Sequence, residues 1–219
     1  MSGIGQPVGK DFWEQDTETL ARALLNLIVV RETSDGVMAG RIVECEMYQG
    51  PFDRGAHSYG GVPTKRTQVM FGPPGHAYVY LIYGMYECLN VVTAPEGVPH
   101  AILLRALEPL HGIELMRAHV PATKRPTPDE RLASGPGKLC RALQITRRLY
   151  GHPLDSPPLY LAHPSHPWPP YERAVGPRIN IDYAGEASQY PWRFWIHGHP
   201  SVSAKGGQYR RLERVSDPH

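Results

Sequence analysis

Residues 77–93 read AYVYLIYGMYECLNVVT, two strand-like runs that meet at the tripeptide Tyr-Gly-Met of residues 83–85. Aromatic and β-branched residues fill the runs at 77–82 and 86–93, and such residues favour strands. The glycine between the runs indicates a tight reversal of the chain. This stretch therefore predicts a β-hairpin as a central element of the fold.

The length of the hairpin loop decides which side chains share a face, because the faces of a strand alternate with every residue. A two-residue turn at 83–84 places Tyr80 and Asn90 on opposite faces, whereas a three-residue loop at 83–85 places them on one. Tyr83 falls at the tip in either case, where a large ring has little to pack against. An exposed aromatic residue at a hairpin tip favours insertion into a partner over simple core packing.

Strands outnumber helices in the rest of the chain, and the two do not alternate regularly. This pattern predicts an α+β fold in one compact domain, residues 1–203, with flanking helices and a protruding hairpin. Residues 204–219 are polar and are expected to be a disordered tail. Strands are predicted at 40–48, 100–107, 159–162 and 192–197, and helices at 17–26, 113–119 and 139–145.

The composition is that of an ordered globular protein of 219 residues with a formal net charge of +2. The longest apolar run is too short to cross a bilayer, and residues 1–16 lack the pattern of a secretory signal. The three cysteines are few and widely spaced, so we interpret them as reduced core residues. These features predict a cytoplasmic protein.

The predicted strand at 40–48, GRIVECEMY, carries the acidic residues of greatest interest. Alternation places Glu44, Glu46 and Tyr48 on one face, opposite an apolar face that points to the core. Taken alone, this pattern is more typical of an ordinary solvent-exposed strand face than of a site.

Arg105 changes that balance, because it stands inside the apolar run ILLRAL. A buried cation needs a carboxylate or phosphate partner. A structural ion pair and a guanidinium that holds a catalytic carboxylate or a phosphate explain this position equally well.

Basic residues concentrate between Arg117 and Arg148. This segment contains eight basic and two acidic residues, a local charge of 8 − 2 = +6. A solvated helix face and a phosphate-binding surface are both consistent with this excess. The run Ser134-Gly135-Pro136-Gly137-Lys138 in the same segment suits either a phosphate or a plain helix cap. The histidine spacings do not indicate a metal site, and no nucleotide-binding or triad motif is present.

Six collinear stretches between about Phe12 and Ser203 resemble the alkyladenine (methylpurine) DNA glycosylase family. They are GRIVECEMYQG, AHSYGG, MFGPPGHAYVYLIYGMYECLNVVT, AILLRALEPLHGIELM, SGPGKLCRAL and PWRFWIHG-P-SVS. The resemblance implies a domain like the C-terminal domain of a formyltransferase, with a mostly antiparallel sheet, acting as a monomer. It implies a monofunctional base-excision-repair enzyme that flips alkylated or deaminated purines out of duplex DNA and leaves an abasic site. Localisation would be cytoplasmic, with nucleoid association through DNA.

The resemblance also implies a role for each matching residue. Glu46 would activate the water with Arg105 beside it, and Tyr83 would fill the gap left in the duplex. The flipped base would be bound by Tyr48, His57 and Tyr80, with Asn90 at the pocket wall. The DNA backbone would be bound by Arg66, Lys138 and Arg141. No metal or cofactor is expected, because one carboxylate can stabilise the sugar cation and also take the proton of the water.

Two positions depart from the family pattern: Asn180 replaces a usual glycine, and Glu87 is an unusual charge on the hairpin. Neither is expected to touch the pocket. Two other functions stay open at this point. A non-catalytic binder of damaged nucleic acid would keep Tyr83 without needing Glu46, and a more distant possibility is an RNA-modifying transferase related only by fold.

Overall fold

The computed structural model describes residues 3–121, 125–203 and 208–215. The strands are β1 (Ile4–Pro7), β2 (Ile28–Thr33), β3 (Gly36–Gln49), β4 (Ala77–Ile82), β5 (Tyr86–Val92), β6 (His100–His111), β7 (Asp155–Ser156), β8 (Leu159–Pro164), β9 (Tyr171–Gly176), β10 (Arg193–Ile196) and β11 (Arg210–Val215). The helices are α1 (Thr17–Leu24), α2 (Ile113–His119) and α3 (Pro136–Ala142). Short 3₁₀ segments occupy Lys10–Glu14, Gln68–Phe71, Asp129–Arg131, Arg147–Leu149 and Asp182–Gln189.

The strands join in one antiparallel sheet with the order β1-β8-β2-β3-β10-β9-β11, and a branch β3-β6-β5-β4 leaves it at β3. The short strand β7 pairs with β8. The length of β3 explains the branch. One of its edges pairs first with β2 and then with β10, while the other edge follows β6. The α+β class and the mostly antiparallel sheet predicted from the sequence are confirmed.

The hairpin of β4 and β5 has the three-residue loop. Ile82 pairs with Tyr86, and the register continues through Tyr80 with Cys88 and Tyr78 with Asn90. These last four side chains therefore lie on one face, as the second of the two predicted registers required. β5 joins β6 through residues 90–92, so the loop end of the hairpin extends beyond that ladder.

The helices pack their apolar residues against the sheet, and each has an identifiable start or end. Asp16 caps α1 by accepting hydrogen bonds from the backbone N–H groups of Glu18 and Thr19. Pro136 starts α3, where its fixed φ suits the first turn. Leu20, Leu24, Leu139 and Leu143 are fully buried in the main core.

Helices α1 and α3 differ from their predicted limits. α1 stops at Leu24 rather than Asn26. The backbone N–H groups of Asn26 and Leu27 donate to the carbonyl oxygens three residues earlier, which is the tighter hydrogen-bond pattern of a 3₁₀ turn. α3 begins three residues earlier than predicted and ends before Gln144, whose φ of 51° is left-handed. All three cysteines are free and buried, which confirms their predicted place in the core.

The predicted disorder of the C-terminal tail is wrong for residues 210–215. They form β11, which pairs with β9 from Arg210 opposite Val175 to Val215 opposite Tyr171. Pairing with β9 gives the backbone N–H and C=O groups of these residues hydrogen-bond partners within the protein. Polar side chains do not prevent such backbone pairing. The tail residues 204–207 and 216–219 lie outside the described residues.

Candidate active site

The face of β3 that bears the acidic residues is buried. Glu44 and Glu46 have no exposed surface, so the prediction of an ordinary solvent-exposed face is wrong. Strands β6 and β10 pair with the edges of this part of β3. Backbone N–H groups of Ile179 and Ser203, from irregular segments, contact the carboxylates on its face. Carboxylates in such a position need charged or hydrogen-bonding partners, and each has its own set.

Glu46 accepts hydrogen bonds at both of its carboxylate oxygens. Its Oε2 atom accepts from the Tyr48 hydroxyl at 2.8 Å, and its Oε1 atom accepts from the backbone N–H of Ile179 at 2.7 Å. The guanidinium of Arg105 lies 3.3 Å from the same Oε1. Burial, followed by the charge of Glu46, raises the pKa of Tyr48 well above its usual value, so this hydroxyl stays protonated and can donate.

Glu44 belongs to a structural ion cluster. Its Oε1 atom accepts from Arg105 Nε at 3.0 Å and from Arg193 Nε at 2.8 Å, and its Oε2 atom accepts from the Ser203 backbone N–H at 2.6 Å. Burial alone would raise the pKa of Glu44, but the two guanidinium charges outweigh it and lower the pKa. Glu44 is thus a fixed anion that ties β3, β6, β10 and the segment after β10 together.

Arg105 forms the structural ion pair that the sequence left open, and it also contacts the carboxylate that was predicted to be catalytic. The structural partner is Glu44, and the predicted catalytic carboxylate is Glu46. Burial alone would lower the pKa of Arg105, but the charges of Glu46 and Glu44 raise it. The guanidinium therefore stays charged between the two carboxylates.

A cavity of about 280 Å³ opens beside Glu46, near the lower limit of about 300 Å³ for small-molecule pockets. Its residues divide into a buried floor and an exposed rim. The floor includes Glu46, Met70, Tyr78, Cys88, Asn90, Ala101, Leu103 and Arg105, and the rim includes His57, Tyr83, Tyr86, Asn180 and Tyr183. Such a cavity has room for one flat heterocycle.

Three aromatic residues predicted for the site meet in this cavity. The rings of His57 and Tyr80 are 4.5 Å apart and nearly perpendicular, while those of Tyr78 and Tyr80 are 5.3 Å apart. Tyr48 lines the same cavity from β3. The structure therefore brings Tyr48, His57 and Tyr80 together around one space, from three separate parts of the chain.

His57 is held as one tautomer. Arg66 can only donate, so its contact of 3.3 Å with Nε2 makes that nitrogen an acceptor and leaves the ring proton on Nδ1. Nδ1 then donates to the Tyr78 hydroxyl at 2.9 Å. Burial of the ring and the charge of Arg66 lower the pKa of His57 to about 4, although part of the residue remains exposed. The imidazole is neutral at pH 7.

Arg66, predicted to contact the DNA backbone, lies beside the cavity. Its guanidinium is 4.8 Å from the centre of the Tyr80 ring, in addition to its contact with His57. The residue is exposed, so a donor group can still face solvent. Arg66 therefore contacts the aromatic wall of the cavity and, if it binds the DNA backbone as predicted, would do so next to that wall.

Asn90 lies on the floor with 4% of its surface exposed. Its side-chain nitrogen donates to the backbone oxygen of Tyr78 at 3.0 Å, which fixes the orientation of the amide. Asn180, by contrast, was expected to lie away from the pocket, and this is wrong because it lines the rim. Residues 177–181 connect β9 to the 3₁₀ segment that follows, and a connecting loop of this kind has no periodic pattern that would place it.

Arg178 is a residue of this connection that sequence reasoning missed. It forms a fully buried ion pair with Asp53, with Nη1–Oδ2 at 2.5 Å, and its guanidinium lies 4.5 Å from the ring centre of Tyr48. It therefore supports the ring of Tyr48 and pins the loop after β3. A lone arginine in an irregular segment gives no signal of such a role in the sequence.

Tyr83 lies at the hairpin tip, 75% exposed, with a left-handed φ of 52°. A bulky side chain rarely adopts that conformation. Met85 in the same loop is 67% exposed. The loop thus presents an aromatic ring directly at the cavity rim.

Three basic residues of the segment at 117–148 have partners within the protein. Arg117 forms a salt bridge to Asp129, Arg131 donates to the backbone oxygens of Pro200 and Val202, and Arg147 pairs with Glu87 at 3.2 Å. These three cations already have partners within the protein, so fewer basic side chains of the segment are left to contact phosphates.

Arg125, Lys138, Arg141 and Arg148 are also exposed. Arg141 and Arg148 line a groove with Arg31 beside the hairpin. Gly137, next to Lys138, lines both this groove and the cavity. Lys124, counted in the segment, lies outside the described residues.

Fold and site together define a compact protein with a buried carboxylate at the wall of a small aromatic cavity. The methylpurine-DNA glycosylase family matches residues 11–200, and the chain belongs to this family of hydrolases that act on N-glycosyl bonds.

Two relatives provisionally named 3-methyladenine DNA glycosylase are similar over nearly their whole length. One, from Bacillus cereus strain G9842, is 52% identical over 201 residues. Another, from Bacillus anthracis strain CDC 684, is 51% identical over 201 residues. Each alignment covers 89% of this chain and 97% of the relative. In the part of the chain that the structure describes, no helix is long and apolar enough to span a membrane.

Proposed function

We propose that this DNA glycosylase takes alkylated or deaminated purines out of the duplex into the cavity and hydrolyses the bond between the base and C1′ with a water activated by Glu46. The observation that carries the proposal is a buried carboxylate at the wall of an aromatic cavity, with Tyr83 exposed at its rim. A base stacked in duplex DNA cannot reach Glu46, so it must leave the helix.

The aromatic walls favour the damaged base. An N3- or N7-alkylated purine is cationic, and the faces of Tyr48 and Tyr80 attract cations. His57 is neutral at pH 7, since its pKa is lowered to about 4, so it does not repel such a base. Damaged bases also stack and pair less well, which reduces the cost of extrusion.

The chemical step is a displacement at C1′. The water oxygen forms a bond to C1′, the bond from C1′ to the purine nitrogen breaks, and the electron pair leaves with the base. A cationic purine leaves as a neutral molecule, whereas hypoxanthine needs a proton from solvent to do so. Glu46 takes the proton of the water, and its charge stabilises the developing sugar cation.

The surroundings of Glu46 suit this role. Tyr48, Ile179 and Arg105 fix the orientation of the carboxylate. Arg105 lies 3.3 Å from Glu46 Oε1, and this ion pair holds the carboxylate at the wall of the cavity. The enzyme acts as a monomer in this proposal, and Arg66, Lys138 and Arg141 hold the DNA backbone around the cavity.

The test measures single-turnover excision from a duplex that contains hypoxanthine and from methylated DNA, with abasic sites detected by alkali cleavage. Glu46→Gln should slow excision by a factor on the order of 10²–10⁴, the usual range for loss of a general base. Its affinity for the lesion duplex should stay close to wild type.

Glu108→Gln is the matched control, because Glu108 lies on neighbouring β6, pairs with His199 and does not line the cavity. It should retain the wild-type rate. Excision by Glu46→Gln at the rate of the control would refute the role of Glu46.

A further inference from the structure

The connection between β9 and the 3₁₀ segment places Asn180 on the rim of the cavity that Glu46 lines. Arg178 is buried and paired with Asp53 on one side. The next residue, Ile179, donates its N–H to Glu46 at 2.7 Å, and Ile181 is buried beyond it. Asn180 is therefore held firmly on the cavity rim, one residue from a group that positions Glu46.

The backbone of Asn180 has a φ of 59°, which glycine adopts freely and which asparagine tolerates better than most residues. The residue is exposed. Within the described chain, no hydrogen bond ties down its side-chain amide. The rim thus presents a free donor and acceptor group at a position where glycine would fit the backbone more easily.

The division of the cavity into a buried floor and an exposed rim indicates which part of the DNA lies near the Asn180 amide. The buried floor, with Asn90 and Leu103, encloses the far side of a bound base. C1′ must lie near Glu46, so the phosphates that flank it must pass the rim. Side-chain amides are among the common donors to DNA phosphates.

We propose that the Asn180 amide N–H donates to a phosphate oxygen next to the flipped nucleotide and holds C1′ in line with the water on Glu46. Asn180 is thus a positioning residue for the reaction. The inference depends on the proposed flipping of the base, and the experiment separates the two.

The experiment combines a change in the protein with a change in the DNA. Asn180→Gly removes the amide and keeps the backbone conformation, so its thermal unfolding midpoint should equal or exceed that of wild type. Duplexes carry hypoxanthine with a neutral methylphosphonate in place of either flanking phosphate. Single-turnover rates are measured for each protein on each duplex at saturating enzyme.

Loss of a hydrogen bond to a charged group should reduce the Asn180→Gly rate about 10-fold or more on normal DNA. One methylphosphonate duplex should slow wild type by a similar factor and leave Asn180→Gly unaffected. Asn180→Asp, which also tolerates the left-handed conformation, should react still more slowly, and added salt should partly restore its rate by screening the repulsion from phosphate.

Equal sensitivity of wild type and Asn180→Gly to both methylphosphonates would overturn the inference, as would a wild-type rate for Asn180→Gly. If Asn180→Gly is destabilised, Asn180→Asp provides the same comparison. Failure of the proposed function is a separate result, because it would appear as full excision by Glu46→Gln.

Discussion

Glu44 and Glu46 lie two residues apart on β3, both fully buried, yet their surroundings differ. Glu46 lines the cavity, whereas Glu44 is surrounded by Arg105, Arg193 and the backbone of Ser203. We therefore expect Glu44→Gln to impair stability and Glu46→Gln to impair the chemical step.

The size of the Glu44 effect follows from its partners. Glutamine keeps the volume of the side chain but removes its negative charge, so the two buried guanidinium groups lose a carboxylate that compensates their positive charge. Breaking a buried ion pair in this way costs about 3–5 kcal/mol. A domain of this kind is stable by about 5–15 kcal/mol, so the loss is a large fraction of the total.

The assay is urea unfolding followed by tryptophan fluorescence at pH 7. With a slope of about 1–3 kcal/mol per molar urea, the midpoint of Glu44→Gln should fall by roughly 1–2 M or more. Glu172→Gln is the control, because its pair with Arg211 is exposed on both sides. Such surface pairs are worth about 0–1 kcal/mol.

The dependence on pH gives an independent check. The pKa of Glu44 is lowered from its ordinary value of 4.5, so its stabilisation is fully present above that pH. Stabilisation is lost as the pH falls through the lower pKa of the folded state. The difference between wild type and Glu44→Gln should therefore shrink in acid.

A midpoint for Glu44→Gln within the range of the Glu172→Gln control at pH 7 would refute the reasoning about the buried cluster. So would a folded Glu44→Gln that loses excision while Glu46→Gln retains it, since the two carboxylates would then have exchanged roles.

Four further predictions concern the cavity and the DNA surface. Tyr83→Ala should weaken lesion-duplex affinity by about 1–3 kcal/mol in fluorescence anisotropy, the usual value of a base–aromatic stack, whereas unchanged affinity would contradict insertion. The His57 imidazole should titrate in NMR near pH 4 as the Nδ1–H tautomer, and its contribution to stability should rise from pH 4 to 6.5 because the unfolded state binds more protons. A titration near 6.5 would exclude that environment. Asn90→Ser should raise release of normal guanine relative to hypoxanthine, because a fixed amide would clash with the 2-amino group; an unchanged ratio would eliminate Asn90 as the filter. Replacing Lys138 and Arg141 with glutamine should flatten the log–log dependence of binding on salt by about 0.9 for each phosphate that is no longer neutralised, and an unaltered slope would place both residues off the DNA.

The sequence by itself determined the local elements, because they depend on neighbouring residues. The alternation in GRIVECEMY correctly placed Glu46 and Tyr48 together, and the Tyr-Gly-Met loop correctly predicted the hairpin. The apolar run around Arg105 indicated that this cation needs an anionic partner, and Glu44 and Glu46 are its partners. Each of these three predictions needed only the alternation, the turn residues or the charge within a short stretch of sequence.

The tertiary structure alone decided burial, partners and distant neighbours. An alternating strand with two glutamates is typical of a solvent-exposed face, and only the folded chain brings Ile179 and Ser203 against that face. The choice between the hairpin registers was likewise settled by the ladder from Tyr78 to Asn90 and not by the loop residues. The burial of the two glutamates depends on contacts between segments far apart in the chain, and the hairpin register depends on which residues of the two strands pair; the local pattern left both open.

The irregular connection at 177–181 shows the limit most clearly. Arg178 supports Tyr48, Ile179 holds Glu46 and Asn180 stands at the rim, although the connection is more than 120 residues from β3 in the chain. A loop has no period from which its neighbours could be inferred, so its part in the site exists only once the sheet has folded. The same holds for residues 210–215, where a polar tail becomes a strand because β9 offers an edge with unpaired backbone groups.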